Sequence, residues 1–200
     1  PNLVQAANSV ASYQLRNRAT VVGNICNASP AGDTIGTCMM LDGVLNVQGP
    51  EGKRTIPLST FLLAPGRTVL KAGEIVTSIT LPPPQPGMVG VYKKLGRNVI
   101  SDLSIVGVAV MGYPSSKSPS GYVFRIALAS VAPVPMEPVK AEAILSEKKI
   151  TAESIAEAAQ AAMDAVTPID DVRGSARYRK FMVRNLVREG VTEVWAKLSK

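Results

Sequence analysis

The segment Arg16-Asn-Arg-Ala-Thr-Val-Val-Gly-Asn-Ile-Cys-Asn-Ala-Ser-Pro-Ala-Gly-Asp33 concentrates the residues of this chain that could do chemistry. Small and hydrogen-bonding side chains interrupt an otherwise apolar stretch, a composition suited to close backbone approach to a ligand. Gly23 can take dihedrals that aim consecutive amides at one point, making a nest for an anion such as a pyrophosphate without a lysine. Asp33 could accept hydrogen bonds from a ribose hydroxyl, as acidic residues do in other dinucleotide sites. Equally, the same residues could form a tight turn and cap a helix with no ligand present.

Several other chemistries are excluded by composition. The chain has no histidine and two cysteines, Cys26 and Cys38, outside any CxxC pair, which argues against a zinc site, an in-chain Fe–S cluster and a disulfide scaffold. The commonest general base and the Ser/His and Cys/His pairs are therefore missing, so no catalytic residue and no metal ligand is assigned, and redox or binding chemistry gains weight. Both cysteines read as small buried residues. A net charge of +7 raises nucleic acid as a partner, but the bases are scattered and only three Phe, five Tyr and one Trp are available for stacking. No nucleic-acid partner is expected, and a basic face for an anionic cofactor or acidic partner fits better. The longest apolar runs, such as Ile105 to Met111, fall far short of the roughly 20 residues of a membrane span. With no signal layout at the N-terminus either, no membrane association and a cytoplasmic location are expected.

An α+β fold must position these side chains. With 200 residues and 46% hydrophobic content the chain can bury a real core. The proline cluster Leu81-Pro-Pro-Pro-Gln-Pro-Gly87 can continue neither a helix nor a central strand and reads as a linker, dividing the chain into residues 1–85 and 86–200. Before it, Leu3, Val4, Ala7 and Val10 recur at helical spacing. Leu41 to Val47 and Arg54 to Leu58 flank Gly49-Pro-Glu-Gly52 as a hairpin, and Ile75, Thr77, Ile79 and Leu81 alternate as one face of a half-buried strand. This first part is a small α/β unit. After the linker, Met88 to Leu95, Leu103 to Gly112 and Tyr122 to Ala132 read as three antiparallel strands. Helices follow: Glu137 to Ser146, one capped by Thr151, and one capped by Ser175 carrying Tyr178, Phe181, Met182, Leu186, Val194, Trp195 and Leu198, with Gly190 weakening its middle. The second part is thus an antiparallel three-stranded sheet covered by helices. Its expected core includes Ile105, Val108, Val110, Ile126, Leu128, Phe181 and Trp195.

The segment around Gly23 resembles the second flavin-contact motif of the FAD-binding subunits of molybdenum hydroxylases, the xanthine dehydrogenase and carbon monoxide dehydrogenase family. That motif usually reads Thr-Ile-Gly-Gly-Asn followed by an Asn/Ala-Ser-Pro-x-x-Asp run. This chain has Thr20-Val-Val-Gly-Asn24 and Asn27-Ala-Ser-Pro-Ala-Gly-Asp33 without a gap. The resemblance continues through Gly49-Pro-Glu-Gly-Lys-Arg-Thr-Ile-Pro-Leu58, Ala64-Pro-Gly-Arg-Thr68, Gly73-Glu-Ile-Val76 and Tyr92-Lys-Lys-Leu-Gly-Arg97. It extends through Ser101-Asp-Leu-Ser-Ile-Val-Gly107, Arg125-Ile-Ala-Leu-Ala-Ser-Val-Ala-Pro133 and Asp171-Val-Arg-Gly-Ser-Ala-Arg-Tyr-Arg179.

The resemblance implies a partial second FAD-binding subdomain followed by a carbon monoxide dehydrogenase flavoprotein C-terminal-type domain, with FAD as cofactor. Thr20, Val21, Val22, Gly23 and Asn24 would line the pyrophosphate, and Asp33 would hold the ribose or adenine end. Ile75 or Val76 matches an apolar contact, the alternative being strand core, and Lys94 matches a basic residue near the flavin, the alternative being a solvated lysine. Electrons would pass from a 2Fe–2S small subunit, fed by a molybdopterin large subunit, through FAD to a final acceptor. Two departures stand out. The family's first flavin motif, a glycine-rich Ala-Gly-Gly stretch, is not in the chain, which therefore looks truncated. Val22 replaces the usual glycine and disfavours positive φ. A scaffold of the same architecture that binds no flavin, or a stand-alone anion-binding module, are the competing expectations.

Overall fold

A computed structural model describes residues 2–98 and 102–200; of the Ser101 to Gly107 match, Ser101 lies outside the described residues. The proline run behaves as its chemistry requires: residues 81–88 carry no helix or strand, and a separate hydrophobic core lies on each side of them.

The first core gathers Ile25, Ile35, Leu45, Val47, Leu58 and Phe61. Four short helices contribute to this part, α1 (Asn2–Asn8), α2 (Tyr13–Arg16), α3 (Val21–Cys26) and α4 (Asp33–Met40). The expected hairpin forms from β1 (Val44–Gly49) and β2 (Gly52–Pro57), with Gly49 opposite Gly52 across the Pro50-Glu51 turn. A small ribbon of β3 (Leu62–Ala64) and β4 (Arg67–Thr68) follows, and β5 (Ile75–Thr80) pairs antiparallel with the other edge of β1.

Here the expected alternation fails. Asn46 pairs with Ser78 but Val47 pairs with Val76, so Thr77 is an extra residue that bulges the strand. Beyond a bulge the two faces exchange. Val76 and Ile79 therefore both pack against the core, while Ile75 turns outward and is 62% exposed.

The second core rests on an antiparallel sheet ordered β6 (Val89–Leu95), β7 (Val106–Pro114), β8 (Tyr122–Ala129). One face of the sheet is covered by α5 (Val139–Glu147), α6 (Ala152–Ala165) and α7 (Ala176–Leu198). Ile105, Val108, Val110, Ile126 and Leu128 are all buried, as periodicity predicts. Two strands are shorter than expected: Leu103 is exposed ahead of β7, and β8 stops where Ser130 takes the left-handed φ of +67°. Thr151 caps α6 in a reciprocal capping box with Ser154, and the Ser175 hydroxyl accepts from the Tyr178 N–H to cap α7.

The buried face of α7 is Val183, Val187, Gly190, Val191 and Val194. Phe181, expected in the core, is exposed, as is Tyr178 on the same helix. Phe181 stands on the solvent face between the Arg177 and Arg184 guanidiniums, 5.6 and 5.4 Å from its ring centre. Trp195 is only partly buried and meets Tyr122 edge to face at 5.0 Å. Gly190, which looks like a weakness in the helix, is a packing requirement: a Cβ there would lie 2.9 Å from Val110 Cγ2, so glycine lets α7 settle onto β7.

The opposite face of the sheet receives the first part of the chain. Met40 joins Ala109, Met111 and Ala127 in a small apolar cluster, and the missing Gly36 side chain admits Ala127. Along the sheet edge, the Tyr92 N–H donates to Gln5 Oε1 at 2.9 Å, so α1 covers β6. The loop and α3 between α1 and α4 are thereby held against the C-terminal sheet.

Candidate functional site

Thr20 has extended backbone and is the N-cap of α3, its Oγ1 accepting the Gly23 N–H at 2.9 Å. The Thr20 to Asn24 segment is therefore a helix start and not a left-handed nest. Gly23 has no positive φ; its small size is needed because a Cβ would meet Thr20 Oγ1 at 2.9 Å. Val22 also sits within α3 without positive φ, so its replacement of glycine carries no backbone strain.

What this helix start leaves unpaired matters more. The N–H groups of Val21 and Val22 have no acceptor among the described residues. Asn24 Oδ1 accepts from the Thr34 hydroxyl at 2.7 Å and from the Thr34 N–H at 3.4 Å, which ties α3 to α4 and leaves the Asn24 amide nitrogen free to donate. Thr20, Val21, Asn24 and Thr34 line one cavity of about 400 Å³ with Tyr13 and Arg16. An adjoining cavity of about 600 Å³, lined by Ser9, Lys94, Arg97 and Asp102, shares Asn8 and Arg16 with the first.

Asp33 begins α4 and is 5% exposed. The Tyr92 hydroxyl donates to its Oδ1 at 2.6 Å and the Lys94 ammonium to its Oδ2 at 2.9 Å; Lys94 also donates to the Ser9 carbonyl at 2.7 Å. Burial pushes the Asp33 carboxyl above its usual range even though both donors pull it down. The Tyr92 phenol is raised well above its own range, first by burial and then by the Asp33 charge. Lys94 is thus a half-sequestered ion-pair partner, not a solvated lysine. It and Asp33 form one cluster where the motif resemblance assigned them to different ends of a cofactor.

Of the residues singled out from sequence, the structure brings Thr20, Val21, Val22, Gly23 and Asn24 onto one helical turn, with the Asp33–Lys94 pair nearby. Ile75 and Val76 line neither cavity. Sequence reasoning missed Tyr92 and Arg16. Tyr92 was findable, since it lies two residues from Lys94 and so on the same face of β6. Arg16 opens the segment singled out from sequence, but the pattern gave it no role, because its position depends on the chain folding back between α1 and α2.

A further cavity of about 320 Å³ lies between Pro30, Pro65 and the start of α7. Buried Arg179 closes it, donating to the carbonyls of Ile105 and Ser130 at 2.7 and 3.0 Å and to Asp171 Oδ1 at 2.7 Å. The unpaired Arg179 Nε, Ser104 Oγ and Ser130 Oγ are sealed from solvent and are not offered to a ligand. Among the described residues no cluster of side chains could hold a metal ion. Burial pushes the Cys38 thiol up to about 12, which makes it inert, and raises Cys26 as well.

The donor set around α3 fits a phosphate-bearing ligand: two unpaired amides at the helix start, with Val21, the Asn24 side-chain amide and the Arg16 guanidinium lining one cavity. Comparison with known proteins agrees in kind. The FAD binding domain in molybdopterin dehydrogenase matches residues 1–84, and the CO dehydrogenase flavoprotein C-terminal domain matches residues 90–194. The carbon monoxide dehydrogenase medium chain of Hydrogenophaga pseudoflava is 32% identical over 197 residues, covering 98% of this chain and 68% of the relative. The xanthine dehydrogenase FAD-binding subunit of Escherichia coli O157:H7 is 27% identical over 197 residues, covering 98% of this chain and 67% of the relative. Among solved structures, carbon monoxide dehydrogenase from Hydrogenophaga pseudoflava lacking the Mo-pyranopterin moiety superposes with a TM-score of 0.91 at 33% identity, over 98% of this chain and 68% of that one.

Proposed function

Because the chain belongs to the family of FAD-binding medium subunits of molybdenum-containing hydroxylases, we propose that residues 1–85 hold FAD by its diphosphate at the start of α3. On this reading, residues 86–200 are the supporting C-terminal domain. The observation that carries the site is the pair of acceptor-free Val21 and Val22 amides at the start of α3, where Val21 lines a cavity whose one charged wall residue among the described residues is Arg16. Asn24, fixed by Thr34, adds a side-chain donor. Bound here, FAD would supply two-electron to one-electron redox chemistry; the chain would supply binding, orientation and electrostatics.

The rest of the site stabilises that cradle. Asp33, Tyr92 and Lys94 lock α4 to β6, which fixes Thr34 and through it Asn24. Asp33 has both oxygens occupied, so contact with a ribose hydroxyl would use a second lone pair of one of them. Exposed Ile75 is the member of the Ile75/Val76 pair free to meet a cofactor, since Val76 is committed to the core. The expected partners are a 2Fe–2S small subunit and a molybdopterin large subunit, and among the described residues no helix is long and apolar enough to cross a membrane. A flavin-free scaffold is disfavoured by the free donors. An FAD titration of the intact subunit followed by absorbance tests the reading: stoichiometric yellow protein supports it, and an absence of FAD binding in the assembled complex overturns it.

A further inference from the structure

Arg16 occupies a position that the family motif does not explain. It follows the left-handed Ala11 (φ +40°) by five residues, and its NH1 donates to the carbonyls of Val10 and Ala11 at 2.8 and 3.0 Å. Those two bonds anchor one nitrogen of the guanidinium and leave Nε and NH2 without acceptors among the described residues. No carboxylate pairs with it there. An arginine held by backbone carbonyls alone keeps its full charge uncompensated, and a fixed guanidinium fork suits phosphate oxygens better than a mobile lysine would.

Its location gives that charge a use. Among the described residues Arg16 is the only charged side chain lining the cavity that holds Thr20, Val21 and Asn24, and it also lines the adjoining cavity with Lys94 and Arg97. It therefore stands on the ridge between the two. Any extended ligand reaching from one cavity into the other must pass this guanidinium. Two backbone amides and a short helix start supply partial charges only, too little for a dianionic linker.

We propose that Arg16 is the countercharge for the FAD diphosphate, clamping it on the ridge so that the two halves of the cofactor lie in the two cavities. The inference rests on the FAD reading above. Nε and NH2 donate to diphosphate oxygens while NH1 keeps the Val10–Ala11 loop closed, so the same side chain orders the loop and meets the ligand.

The test is equilibrium binding of FAD and of riboflavin, which lacks the diphosphate, to the intact subunit carrying Arg16, Arg16→Lys or Arg16→Gln, over a range of salt concentrations. Circular dichroism melts accompany each variant. Arg16→Gln should weaken FAD about 10- to 100-fold, flatten its salt dependence and leave riboflavin unchanged, with Arg16→Lys recovering part of the FAD affinity and most of the salt slope. Equal loss of FAD and riboflavin in Arg16→Gln, or no loss of FAD, would overturn the proposal. If Arg16→Gln does not fold, the same contrast is read from Arg16→Lys alone, where an unchanged FAD-to-riboflavin ratio overturns it. Failure of the wild-type subunit to bind FAD would instead remove the functional reading beneath it.

Discussion

Replacing Lys94 by Met deletes one charge of a buried pair while keeping most of the side chain's bulk. The Lys94 and Asp33 side chains are 14% and 6% exposed, so little water is available to take over from the missing ammonium. Breaking a buried pair from one side costs about 3–5 kcal/mol, because the remaining charge stays buried. Asp33 can escape by binding a proton. From its ordinary value of 3.8, holding it neutral costs about 6 kcal/mol at pH 8 and about 2 kcal/mol at pH 5, at 1.36 kcal/mol per unit. Ionised and buried is therefore the cheaper state at pH 8, protonated the cheaper one at pH 5.

The sign follows from linkage. In Lys94→Met the Asp33 pKa is raised in the folded state, so the folded protein binds more protons and stability falls as pH rises above about 3.8. Urea melts should show a loss of about 3–5 kcal/mol at pH 8 that shrinks to no more than about 2 kcal/mol at pH 5. Adding Asp33→Asn to Lys94→Met should recover a large part of the loss at pH 8, because no charge is then stranded. Equal losses at both pH values, or a double variant no better than Lys94→Met, would refute the claim that this pair locks α4 to β6.

Other residues give independent tests. Asn24→Asp keeps the acceptor for Thr34 but replaces the free donor with a charged oxygen, so FAD affinity in the intact subunit should fall about 100-fold, read by fluorescence quenching, with little change in melting temperature. Glu142 is half-buried, accepts the Ile126 N–H at 2.7 Å and has its carboxyl pushed up to about 7, mainly by desolvation. Being raised, it takes stability away as pH climbs from about 4.5 through about 7. Glu142→Gln, which can still accept that N–H, should be more stable than wild type by about 1–3 kcal/mol at pH 8 and indistinguishable from it at pH 4.5 in denaturant melts. Gly190→Ala should destabilise despite the better helix propensity of alanine: overpacking against Val110 costs about 1–3 kcal/mol, above the gain of up to about 1 kcal/mol.

The sequence was most informative where one local rule acts alone. The proline linker, the Pro50-Glu51 hairpin, the Thr151 and Ser175 caps and the β7–β8 core all follow from turn chemistry, capping and alternation. It misled where a long-range contact decides. The Thr77 bulge is fixed by pairing with β1 and exchanges Val76 for Ile75; Phe181 looks like core by composition but is turned out by the rotation of α7 that places Gly190 on Val110. At the site, Thr20 and Asn24 were legible because their motif is contiguous. The partners of Asp33 lie 59 and 61 residues away, and only the docking of α4 on β6 reveals that Tyr92 and Lys94 hold it.

Amide hydrogen exchange of the intact subunit with and without FAD addresses the central claim most directly, because Val21 and Val22 are the groups said to meet the diphosphate. FAD should slow exchange at these two amides strongly while leaving the β7 amides, already paired within the sheet, unchanged. Stoichiometric FAD binding with no protection at Val21 and Val22, and protection instead around Pro30 and Ile169 at the cavity closed by Arg179, would contradict the account.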